Sequence, residues 1–237
     1  MNSQNSGAGS KALELNNVVC ERGFHELFAP VSFVAAESSA VQISGANGSG
    51  KTTLLRAIAG LHQPSRGEIK WQGVTIDSKE SSYSEETDYL GHKPGLNPDL
   101  TALENLQFLG ALKPSINTSP ELHSSKAPPK KPLTGPLTDQ SLEQVGAGPY
   151  SHLATHLLSA GQKQRVSLAR LLMNDLRIWL LDEPATSLDR HGIVILEEML
   201  SQHVRRGGIL VYTSHQDLEL SYCSKSTVQL CISEITP

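Results

Sequence analysis

The chain has 237 residues, with 24 acidic and 20 basic side chains and a formal net charge of −4. That balance argues against a dedicated nucleic-acid binder, which carries a basic surplus, so no nucleic-acid partner is expected. No run approaches the roughly 18 apolar residues that a bilayer-spanning helix needs, and Met1 to Ser10 lacks the basic and apolar regions of a secretory signal.

In chain order, residues 1–11 read as a flexible N-terminus and 12–237 as a single domain. Ala12 to Val19 alternates apolar and polar residues like a strand. Val31 to Ala35 and Ala40 to Ser44 are two further strand candidates. From Lys51 the period becomes helical, with Leu54, Leu55, Ile58 and Ala59 as an apolar stripe and Gly60 at the C-cap. Gly67 to Ile76 reads as two strands around a tight turn at Gln72-Gly73. Six of the 13 prolines then fall between Pro114 and Pro136, a spacing that helix cannot survive. Lys113 to Asp139 therefore reads as a flexible surface insertion, inside a helical region of about residues 93–172. Order returns near Ser141, and Gln162 to Met173 reads as an amphipathic helix. Arg177 to Leu181 reads as a buried strand, Gly192 to His203 as a helix, Ile209 to Thr213 as a strand, and Ser226 to Ile232 as an edge strand. Strands alternating with helices predict a mainly parallel α/β sheet with ligands at the strand carboxyl ends.

Cys20, Cys223 and Cys231 are too scattered for a disulfide framework or a zinc site and read as reduced thiols. His152 and His156 would share a helix face at their i,i+4 spacing. With no Cys or acidic residue near them in sequence, they read as ordinary surface histidines rather than metal ligands.

Gly45, Ala46, Asn47, Gly48, Ser49, Gly50, Lys51 and Thr52 fit the phosphate-loop pattern G-x-x-x-x-G-K-[ST], with Thr53 behind them. Glycines let successive backbone N–H groups wrap a phosphate, and the following helix adds the positive end of its dipole. Lys51 can reach the β- and γ-phosphates of a nucleotide, and the Thr52 hydroxyl can ligate Mg²⁺. An apolar strand ending in Asp182-Glu183 supplies the second half-site. Asp182 would hold Mg²⁺ beside Thr52, and Glu183 would polarise the attacking water as general base.

Leu158-Ser159-Ala160-Gly161-Gln162, followed by Lys163-Gln164-Arg165, resembles the LSGGQ signature of ATP-binding cassette (ABC) ATPases. The resemblance runs from Ala12 to about Cys231. Ser187-Leu188-Asp189 is similar to that family's D-loop, and His215 to its switch histidine. What the resemblance implies is a P-loop NTPase of ABC-ATPase type: a parallel RecA-like core, an antiparallel β subdomain and a reduced helical subdomain. It implies a head-to-tail dimer with a second cassette subunit. ATP would lie between the P-loop of one copy and Ser159, Ala160, Gly161, Gln162 and Asp189 of the other. Lys51, Glu183 and His215 would carry the hydrolysis.

Tyr89-Leu90-Gly91-His92-Lys93-Pro94-Gly95-Leu96 and Leu100-Thr101-Ala102-Leu103-Glu104-Asn105-Leu106 resemble the haem-exporter ATPases of cytochrome c maturation. This subtype implies integral membrane partner subunits, a peripheral place on the cytoplasmic face of the inner membrane, and no haem on the chain itself. His92 would sense nucleotide, and Arg22 would stand where an aromatic usually stacks on adenine. Lys93 replaces a glutamine of the family's pattern. Another ABC transporter ATPase, a soluble ABC protein acting on ribosomes or DNA, and a regulatory cassette stay open as alternatives.

Overall fold

A computed structural model describes residues 12–23, 25–76, 81–112, 136–174, 176–221 and 223–231. The expected flexible N-terminus (1–11) and most of the expected insertion (113–135) lie outside the described residues.

The first half builds an antiparallel sheet. Strand β1 (Ala12–Val19) leads into a two-residue hairpin of β2 (Glu21–Arg22) and β3 (His25–Glu26), then β4 (Val31–Ala36) and β5 (Ser39–Ser44). Helix α1 (Lys51–Ile58) precedes β6 (Arg66–Trp71) and β7 (Val74–Thr75). The sheet order is β4-β1-β6-β7. Gln72 and Gly73 join β6 to β7 with φ of 53° and 79°, the left-handed pair that matches hairpin twist.

A short helix α2 (Ser81–Glu86) passes directly into β8 (Thr87–Leu90). Helices α3 (Ala102–Leu112), α4 (Pro136–Gln144) and α5 (Ala160–Ala169) follow, then β9 (Ile178–Asp182), α6 (Arg190–Arg205), β10 (Ile209–Thr213) and β11 (Ser224–Gln229). The second sheet runs β11-β5-β10-β9-β8 with every pairing parallel, as expected for a RecA-like core. All five residues of β9 and of β10 are buried, because helices cover both faces of a parallel sheet. Ile178, Leu180, Ile209 and Val211 pack with Leu54, Leu55 and Ile58 of α1. Trp179, Leu181, Leu210 and Tyr212 face the other way, toward α5 and α6. Thr213 pairs with both Asp182 and Ile43, and Leu90 with Leu181. The carboxyl ends of β5, β8, β9 and β10 therefore open onto one rim.

Several boundaries differ from the sequence reading. Helix α5 begins at Ala160, not Gln162, because Ser159 caps it, and it tightens to a 3₁₀ turn over Arg170–Leu172. Helix α6 spans Arg190–Arg205 because Asp189 caps it before Gly192. Pro136 is the first residue of α4, the helical position where a missing N–H costs nothing. Residues 136–139 therefore belong to a helix and not to the insertion. His152 and His156 do not share a helix face: His152 sits in a turn, and His156 in a 3₁₀ turn (Thr155–Leu157) with Nδ1 2.8 Å from Pro98 O. Strand β11 starts two residues earlier than read and ends three earlier, at Ser224–Gln229. No helix among the described residues is long and apolar enough to cross a membrane.

Candidate functional site

The rim of the parallel sheet gathers the first group of motif residues. Strand β5 ends at Ser44, the loop Gly45–Gly50 follows, and α1 starts at Lys51. Gly50 adopts φ 89° as the helix N-cap, and a Cβ there would stand 2.7 Å from the buried Phe28 ring. Only glycine satisfies both conditions, so Phe28 fixes the loop from beneath. Lys51 Nζ donates to Gly45 O at 2.8 Å and Ala46 O at 3.1 Å. Ser49 Oγ is buried without a hydrogen-bond partner.

Asp182 stands at the end of β9 and is 2% exposed. Its Oδ2 accepts from Thr52 Oγ1 at 2.7 Å and its Oδ1 from Thr213 Oγ1 at 2.8 Å. The Thr213 hydroxyl in turn accepts from Glu183 N at 2.9 Å. Glu183 adopts φ 55°, a region that non-glycine residues avoid unless the surroundings impose it. His215 Nε2 lies 3.3 Å from Glu183 Oε1. The two form an ion pair only when the imidazole is protonated, and Oε1 is buried with no hydrogen-bond partner. Charge and space thus converge on a carboxylate oxygen with spare acceptor capacity, beside an imidazole.

These orphaned atoms test the fit of a metal-nucleotide ligand. A buried polar atom without a partner is costly, and Ser49 Oγ and Glu183 Oε1 both occur at this rim. Thr52 and Asp182 offer hydroxyl and carboxylate oxygen, the donor set that Mg²⁺ prefers. The residues present therefore fit Mg²⁺ and a phosphate chain.

The second group assembles separately. Ser159 Oγ accepts from Gln162 N at 3.2 Å while Gln162 Oε1 accepts from Ser159 N at 2.8 Å, a reciprocal capping box. A Cβ on Gly161 would meet Ser187 O at 2.5 Å. Glycine at this position is therefore demanded by close packing against the Ser187-Leu188-Asp189 loop. Asp189 Oδ1 accepts from Gly192 N at 2.8 Å and from Arg165 Nη2 at 2.6 Å, and these hydrogen bonds hold its carboxyl below the usual range. Among the described residues, no hydrogen bond joins Ser159–Gln162 to the phosphate loop. Arg22 stands exposed on β2, whose hairpin leads on to Phe28. His92 and Lys93 are exposed in the loop leaving β8, one strand away from Asp182. That loop is tied to α5 by Ser167 Oγ, which donates to Pro94 O at 2.9 Å.

Thr213 was given no role in the sequence reading, yet it joins Asp182 to Glu183. Its signal was available: an apolar strand ending in a hydroxyl residue at the rim where β9 ends in a carboxylate.

The ABC transporter family matches residues 28–186. The chain belongs to the ABC transporter family. Among relatives of this family, the "Cytochrome c biogenesis ATP-binding export protein CcmA" of Photobacterium profundum is 40% identical over 206 residues, covering 87% of this chain and 93% of that protein. The protein of the same description from Pseudomonas aeruginosa is 39% identical over 210 residues, covering 89% and 94%. A dimeric ATP-binding cassette solved in a post-hydrolysis state with ADP and Pi shares the fold, with a TM-score of 0.70, 24% identity, and coverage of 86% of this chain and 88% of that one. The two-sheet architecture above is thus the ABC-cassette fold.

Proposed function

We propose that the chain is the ATP-hydrolysing subunit of an ABC transporter of the haem-exporter type that serves cytochrome c biogenesis. The observation that carries the reading is the joint placement of the phosphate loop, the Thr52–Asp182–Thr213 cluster and the orphaned Glu183 oxygen on one sheet rim. The identity to the cytochrome c biogenesis export proteins supports the subtype.

In this reading, backbone N–H groups of Gly45, Ala46, Asn47, Gly48, Ser49, Gly50 and Lys51, with Thr52 and Thr53, wrap the phosphates of ATP. Lys51 exchanges its loop carbonyls for phosphate oxygens, and the α1 N-terminus adds its dipole. Thr52 and Asp182 hold Mg²⁺, which supplies charge neutralisation at the phosphate oxygens when bound. Glu183 Oε1 takes the proton of the attacking water, and His215 holds that carboxylate and the water in line. His92 contacts the nucleotide from the neighbouring loop, and Arg22 lies against the base by its guanidinium plane.

Ser159, Ala160, Gly161, Gln162 and Asp189, of which Ser159, Ala160 and Asp189 are exposed, complete the site of a second copy. A solved cassette of the same fold is described as dimeric with ADP and Pi bound, which supports pairing of two copies. Separate integral membrane subunits carry the cargo, and haem does not bind this chain. Docking on those subunits would place the chain at the cytoplasmic face of the inner membrane. Leu153, Leu157 and Phe108, exposed on the α3–α5 region, are side chains such a partner would cover.

The test is ATP turnover by the complex assembled with its membrane subunits. Glu183→Gln should lose roughly hundredfold or more of kcat while still binding ATP. Equal hydrolysis by variant and wild type would sink the role of Glu183.

A further inference from the structure

Helix α5 does more in this fold than present Ser159 to Gln162 at its start. Gln164, one turn further on, is only 6% exposed. A primary amide taken out of water must find a partner, and its Nε2 donates to Pro184 O at 3.0 Å. That carbonyl belongs to the residue directly after Glu183.

The Glu183 turn needs such support. Its φ of 55° is one that a β-carbon disfavours, and such a conformation persists only when its surroundings over-determine it. Glu183 N donates to Thr213 Oγ1 at 2.9 Å, and Thr186 N donates to Glu183 O at 3.1 Å. The first bond comes from β10 and the second from the turn itself. Among the described residues, the hydrogen bond from Gln164 ties the turn to α5.

We propose that Gln164 is a positioning residue for Glu183: its buried amide fixes the strained turn that aims the Glu183 carboxylate. The proposal rests on the ATPase reading above, and it goes beyond that reading by assigning the base's orientation to a residue of the signature helix. If Gln164 were only a space-filler, its loss would lower stability and leave turnover per folded molecule unchanged.

Two variants test this in the assembled complex. Gln164→Met keeps the length and removes the donor. Gln164→Glu keeps the shape, and its carboxylic acid donates to Pro184 O only when protonated. Burial raises the pKa of such a carboxyl, so acidification restores the donor. For Gln164→Met, kcat should fall roughly ten- to a hundredfold, as expected for a slight misplacement of a reacting group. KM for ATP should stay within about twofold, because the phosphate loop is untouched. Gln164→Glu should regain turnover relative to Gln164→Met as pH is lowered from about 8.5 to 6.5. In a Glu183→Gln background, Gln164→Met should leave ATP affinity and ATP-induced dimer formation unchanged. An unaltered kcat would overturn the proposal. So would parallel pH profiles of the two variants, or a kcat loss matched by lost ATP affinity or lost dimer formation. An inactive wild-type complex would overturn the ATPase reading and the proposal with it, a result none of the variant outcomes can mimic.

Discussion

Asp182 has both carboxylate oxygens engaged by hydroxyls, and one of those hydroxyls, on Thr213, also holds the backbone of Glu183. Thr213→Val should therefore strip two groups of a partner at once. We expect a stability loss of about 1–3 kcal/mol by chemical denaturation, together with reduced kcat; an unchanged midpoint would contradict the bridging role. The cysteines give a second residue-scale expectation. Burial pushes the Cys20 thiol up to about 11, whereas Cys231 is exposed. Thiolate is the reactive form, so iodoacetamide at pH 8 should modify Cys231 in the native protein and spare Cys20, as mass spectrometry of the digested protein can show. That Thr52, Asp182 and Glu183 gather at one rim was legible, because each stands in a local pattern of particular residue types at fixed spacing. The role of Gln164 was not, because it comes from a partner 20 residues away, which no local pattern reveals.

Helix starts are where local chemistry becomes structure. Ser159 and Gln162 cap α5 reciprocally, so Ser159→Ala should cost about 1 kcal/mol in thermal unfolding. At α3, Glu104 accepts from the backbone N–H and hydroxyl of Thr101. The backbone hydrogen bond, with the hydroxyl behind it, lowers the Glu104 pKa. A carboxyl whose folded pKa is depressed stabilises above its unfolded value of about 4 and loses that contribution as pH falls through the folded pKa. Acid titration should thus weaken the α3 start below about pH 4, and Glu104→Gln should flatten that part of the stability profile while other carboxylates titrate as before. Element types were readable wherever apolar periodicity was strong, as in β1, β9 and β10. Boundaries slipped where a cap or a first-turn proline set the edge, at Ser159, Asp189 and Pro136, since periodicity records the buried face and not the orphaned backbone groups at a helix end.

At the scale of the whole molecule, the two cores meet across the parallel sheet, and Leu180 lies fully buried in one of them. Leu180→Ala should cost about 2–5 kcal/mol in denaturant titration, far more than any single surface change. The α/β class was legible because β9 and β10 read as continuous apolar runs, the mark of strands covered on both faces. The strand order was not, since it depends on pairings between distant segments. That order has a consequence for how the protein is made. Strand β5, which carries the phosphate loop, sits between β10 and β11, and Ser39 pairs with both Ile209 and Ser224. A growing chain therefore exposes its phosphate loop long before either flanking strand exists. Pairings this remote close slowly. Nucleotide can meet a rigid loop only after nearly the whole chain has been synthesised, so truncated products should neither complete the sheet nor compete for ATP.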